Sequence, residues 1–228
     1  MAKSPYDADA LISMFENASA SGSTKLREAV EKATLAALQG RELTLKNIRA
    51  ALESVTKAVS QGAAQNVAGI DAAALLDKAV MGMDDALLKA VQANRAALQQ
   101  FVDRGADLRE KHLKKALDDL DKFEDTLIGA VKKAAAGAGP LTAPWQQMLE
   151  KMQAGGTLSG ASAATTAEQF ASQMQETLRG GRAAGMRAAQ ALAEGYAAMA
   201  SGVLVGMMEA LQQGRSAAPG AKPAAKKR

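Results

Sequence analysis

Between Pro5 and Pro140 the chain holds no proline, and across that span its apolar residues return every three or four positions. The main series runs from Leu76 through Val80, Met83, Leu87, Val91, Asn94, Leu98 and Phe101. After Gly105 and Leu108 it resumes at Leu113, Leu117, Leu120, Leu127 and Val131. Proline breaks a helix because it lacks an N–H donor and its ring collides with the preceding turn. Its absence, combined with heptad-like spacing, predicts one very long amphipathic helix over residues 71–135, weakened at Gly82, Gly105 and Gly129 and open to a bend or break near Gly105. At 1.5 Å per residue that helix would reach roughly 95 Å.

Seven aromatics serve all 228 residues, and the apolar share is Ala, Leu, Val and Met. Such side chains favour helix and pack in thin layers. The expected fold class is therefore all-α: an elongated antiparallel helical bundle or coiled coil built on the long central helix, with disordered ends. Residues 1–22 read as a flexible N-terminus in which Leu11, Ile12, Met14 and Phe15 make at most a short apolar turn. A helical body follows over 23–136. Its first helix, 24–38, stops at Gly40, and its second, 45–60, is capped by Thr44 with Leu43 and Ile48 in staple positions. Asp71 caps the long helix. Residues 137–166 are Gly/Pro/Ser-rich and read as a linker around one short helix, with Pro144 in its first turn. Thr165 and Glu168 have capping-box spacing for a C-terminal helical region, 167–213. Residues 214–228 form a disordered basic tail.

Chemistry is sparse. With no Cys there is neither a disulfide nor a thiolate, which fits a reducing compartment. The first residues lack the pattern of a signal peptide, and the most apolar stretch, 195–208, is shorter than a bilayer span, so a cytoplasmic protein is expected. His112 is the single histidine, and no Glu-x-x-His pair exists for a di-iron bundle. Asp118, Asp119, Asp121, Glu124 and Asp125 cluster, but Lys114, Lys115 and Lys122 stand beside them at helical spacing, which describes a solvated salt-bridge face. No catalytic residue, cofactor site or metal site is expected, and the protein reads as a non-enzyme. The net charge of +4 resides in the tail: residues 1–136 carry 19 basic and 19 acidic groups. Arg215, Lys222, Lys226, Lys227 and Arg228 have no acid among them and suit weak, salt-dependent contact with nucleic acid or polyphosphate.

Two apolar features remain. Leu87, Val91, Leu98 and Phe101, with Trp145, Met148, Leu149 and Met152, form faces suited to an apolar surface or to a partner helix. Gly181, Gly185, Ala188, Gly195, Gly202 and Gly206 lie along a seam of small residues that lets helix backbones approach closely.

The stretch DDALLKAVQANRAALQQFVDRGADLREKHLKKAL and the ending AKPAAKKR resemble the phasins, which coat bacterial polyhydroxyalkanoate granules. The chain also looks like a proteobacterial helical family with no assigned function. Two shorter helices ahead of the main one depart from the simplest phasin layout. The resemblance implies a non-enzymatic coat protein that binds the granule surface through amphipathic helices. The alternative is a self-associating cytoplasmic coiled-coil scaffold, a homo-oligomer that binds protein partners, with Asn94 fixing register and the tail contacting a polyanion.

Overall fold

The computed structural model describes residues 7–16, 23–39, 44–65, 71–103, 111–180, 203–205 and 207. Among them every regular element is a helix and no strand occurs, so the fold is all-α. In chain order the helices are α1 (Ala8–Glu16), α2 (Ser23–Leu38), α3 (Leu45–Ala64), α4 (Ala72–Asp103), α5 (Lys111–Asp121), α6 (Phe123–Gly137), α7 (Thr142–Gly155) and α8 (Leu158–Gly180). A 3-10 turn at Gly139–Leu141 leads into α7.

Local signals account for several helix starts. Thr44 Oγ1 accepts the Asn47 N–H at 3.3 Å ahead of α3, and Asp71 Oδ1 accepts the Ala73 N–H at 3.2 Å ahead of α4. Both satisfy donors that have no partner inside the helix. Asp7 does the same for α1 through Ala10 N–H, at 3.0 Å. Leu11 and Phe15 of α1 are buried, so part of the segment expected to be flexible is a docked helix. All eight helices contribute to one continuous core of Leu, Val, Ala, Met and Phe side chains.

Against the expected single helix over 71–135, α4 ends at Asp103 and Lys122 forms a turn between α5 and α6. The chain also doubles back. Asp84 on α4 and Glu124 on α6 both accept N–H groups from residues 157–159. In an unbroken helix those 40 positions would hold them about 60 Å apart. Heptad spacing survives such a break because each shorter helix still needs an apolar face for the shared core.

The pairing direction differs as well. Arg27 pairs with Asp85, and Glu31 pairs with Lys89 one turn further along both helices, so α2 runs parallel to α4 rather than antiparallel. Their backbones meet at Gly82. A Cβ there would overlap the Arg27 carbonyl oxygen and lie 3.0 Å from Val30 Cβ. Gly82 thus permits the closest approach in this pair, although sequence alone marks it only as a weak point in a helix.

The expected linker is mostly helical too. Residues 158–166 belong to α8, and Thr165 lies inside it, its hydroxyl bonded back to Ala161 O at 2.9 Å. The helix therefore begins seven residues before the Thr165–Glu168 box.

Candidate functional site

The densest polar constellation joins three helices at the start of α8. Gly156, at φ +69° in the left-handed region that favours glycine, closes α7 by donating its N–H to Met152 O at 2.8 Å. Thr157 then caps α8: its Oγ1 accepts the Gly160 N–H at 3.0 Å and its carbonyl accepts the Ala161 N–H at 3.1 Å. The remaining donors of the first turn are taken by other helices. Asp84 Oδ2 accepts from Leu158 N at 2.8 Å, and Asp84 Oδ1 accepts from Ser159 N at 3.0 Å. Glu124 Oε1 accepts both the Thr157 N–H at 2.8 Å and the Thr157 hydroxyl at 3.0 Å.

Two carboxylates thus face the positive end of the helix dipole and satisfy donors that burial would otherwise leave unpaired. Asp84 is only 8% exposed. The clamp is tight. A Cβ on Gly160 would lie 2.8 Å from both carboxylate oxygens of Glu124, so no larger residue fits while Glu124 holds Thr157. Ser159 is fully buried, and its Oγ has no hydrogen-bond partner among the described residues. The carboxylates act here as caps: both oxygens of Asp84 accept backbone N–H groups, and Oε1 of Glu124 accepts one backbone N–H and one hydroxyl.

Sequence reasoning missed this site, although a signal was present. Asp84 is spaced four residues from Val80, three from Leu87 and seven from Val91, which puts an acid on the buried face. Glu124 is assigned by sequence to a solvated acidic cluster. Of that cluster, Asp118 and Asp125 are exposed, whereas Glu124 turns to the clamp. Asp119 is half-buried, and desolvation raises its pKa above the ordinary carboxylate value. Lys115 and Lys122 oppose that rise and Asp118 adds to it. The described residues contain no cluster suited to a metal ion.

The expected apolar face is placed inside the protein. Leu87, Val91, Leu98, Phe101 and Trp145 are all 0% exposed, Met148 and Met152 are buried, and Leu149 is half-buried against the core. Trp145 Nε1 donates to Ser60 Oγ at 3.1 Å, which fixes α7 on α3. Asn94 is buried on α4. The described large apolar side chain that stands out to solvent is Leu158, 60% exposed. The seam residues Gly181, Gly185, Ala188, Gly195, Gly202 and Gly206 lie outside the described residues, as do the tail cations and the side chain of His112. Near the seam, Leu204 is buried in the common core.

Polar links fasten other helices from outside. Arg27 makes a two-pronged contact with Asp85, Nε at 2.5 Å and Nη2 at 2.7 Å. That hydrogen bond raises the guanidinium pKa further, against the opposing effect of burial. Lys151 binds Asp77, tying α7 to α4. A cleft of about 450 Å³ between α3 and α6 is lined by Thr56, Lys57, Ser60 and Ala134. Its Glu53 and Lys133 pair with each other at 2.9 Å, which leaves their charges mutually neutralised.

Fold and clamp together define an all-helical protein whose amphipathic faces close on one another and whose α8 is capped by carboxylates from two other helices. The chain belongs to DUF6781, a family of unknown function, whose model matches residues 1–213. No curated protein and no solved structure matches it. Among the described residues no helix is long and apolar enough to cross a membrane.

Proposed function

We propose that this protein is a non-enzymatic, cytoplasmic helical scaffold whose apolar stripe forms its own core. It self-associates and binds protein partners through its charged outer surface, and its basic tail contacts a polyanion. The observation that carries this reading is the complete burial of Leu87, Val91, Leu98, Phe101 and Trp145. A side chain already removed from water gains little by moving to another apolar environment.

A second reading, a phasin-like coat on polyhydroxyalkanoate granules, requires the closed form to open. It is favoured by how little of α8 is apolar where it lies over α4: in its described part, Ala163 and Phe170 are the buried apolar side chains.

Co-sedimentation with polyhydroxybutyrate particles separates the two readings, with emission of the single tryptophan, Trp145, recorded in parallel. A scaffold stays in the supernatant as a discrete oligomer with unchanged emission. Salt-insensitive capture with shifted emission would replace it with the coat. Repeating the assay on a variant lacking residues 214–228 isolates the tail, whose polyanion contact weakens steeply with salt.

A further inference from the structure

We propose that α8 is a lid over the apolar face of α4, latched at its first turn by Asp84 and Glu124 and pivoting at Gly155–Gly156. The inference stands on geometry and does not depend on which partner the protein binds. The pivot is a helix end followed by Gly156 at positive φ, where the chain has no side chain to obstruct rotation.

The lid's path follows from its contacts. It starts beside Asp84 and packs on α4 and on α5, the helix that follows the C-terminal end of α4. Four hydrogen bonds from residues 157–159 to the two carboxylates fasten its first turn. Among the described residues no salt bridge joins α8 to another helix. Beyond the latch its described buried face is mostly small, with Phe170 as the single large side chain. A segment whose described buried face is this thin opens without global unfolding, because the remaining helices keep their own core.

The test is hydrogen exchange on the full-length protein and on the double variant Asp84→Asn/Glu124→Gln, which keeps side-chain shape and removes both charges. Residues 158–173 should exchange about tenfold faster in the variant, with α2 and α3 changed by less than about twofold. Binding of a hydrophobic dye should rise in parallel. Unchanged exchange in α8, or acceleration spread equally over α2 and α3, overturns the latch. If the double variant does not fold, two other comparisons decide. The single variant Glu124→Gln must show the same local acceleration, and α8 must already exchange faster than α2 in the unaltered protein. Polyhydroxybutyrate particles added to the variant then address the coat separately. Faster exchange in α8 without any gain in capture supports the lid and removes the coat.

Discussion

Of the helices that cover α4, α2 and α8 are held by different physics. α2 lies parallel to it and buries Leu26, Val30, Leu35 and Leu38. Its backbone reaches α4 at Gly82, and ion pairs from Arg27 and Glu31 flank the contact. α8 buries one large apolar side chain in its described part and depends on two carboxylates at its first turn. A large aliphatic or aromatic side chain contributes about 1.5–3 kcal/mol when removed from water. Among the described residues the comparison is four against one. The surface pairs on α2 add little, since exposed ion pairs are worth about 0.2–1 kcal/mol each. Apolar area is therefore what makes α2 a permanent wall, and polar caps are what make α8 detachable.

The strongest way to break this comparison is to truncate one anchor on each side. Leu26→Ala should lower global stability by about 2–5 kcal/mol, read as a matching fall in urea midpoint and in exchange protection throughout the protein. Phe170→Ala removes a larger side chain, yet its cost should stop at release of α8, leaving the α2–α3 exchange pattern intact. Equal global losses from both would mean that α8 is as integral as α2.

Next comes Gly82→Ala. In an open helix this change stabilises by about 1 kcal/mol. Here the new methyl meets the Arg27 carbonyl, and overpacking of about 1–3 kcal/mol should reverse the sign. Thermal denaturation decides, and a higher Tm would contradict the close approach of α2.

Ser159→Ala sharpens the other side. It removes a buried hydroxyl without a partner among the described residues while keeping the backbone N–H that Asp84 accepts. An unpaired buried polar group costs about 1–3 kcal/mol, so the variant should be more stable and α8 should exchange more slowly. A loss of stability would mean that the hydroxyl is satisfied.

The smallest effect concerns pH and α5, on which α8 also rests. Burial raises the pKa of Asp119, so the folded state holds that proton to higher pH than the unfolded chain does. Stability from this group is therefore lower at neutral pH, and the deficit disappears as pH falls below the ordinary value of 3.8. Asp119→Asn should stabilise at pH 7 by no more than about 0.5 kcal/mol, and the gain should shrink toward pH 3.8. Denaturant midpoints across that range check it.

Much of the local structure could be read in advance because its causes are local. Residues 45–60 and the cap at Thr44 fall within α3 and its start, and 24–38 nearly coincides with α2. Each depends on neighbours within one turn. The errors share an opposite origin. A Gly/Ser/Thr stretch expected to be a linker became the start of α8 because its donors are met by Asp84 and Glu124, 75 and 33 residues away. The charged cluster around Asp118 looked uniform in sequence, yet Glu124 was drawn into the clamp while Asp118 and Asp125 stayed exposed.

Sequence by itself determined that this chain is helical, where several of its helices begin and which face of each seeks cover. Those outcomes follow from proline placement, capping residues and 3.6-residue periodicity, all of which act within a few positions. Tertiary structure decided that the long stripe doubles back on itself, that α2 lies parallel to α4, that Gly82 is a contact rather than a weakness, and that two distant acids hold α8. Periodicity states that a face must be buried but carries no information on which helix buries it. That choice falls to packing and to buried donors that require partners, and both are settled only when the whole chain closes.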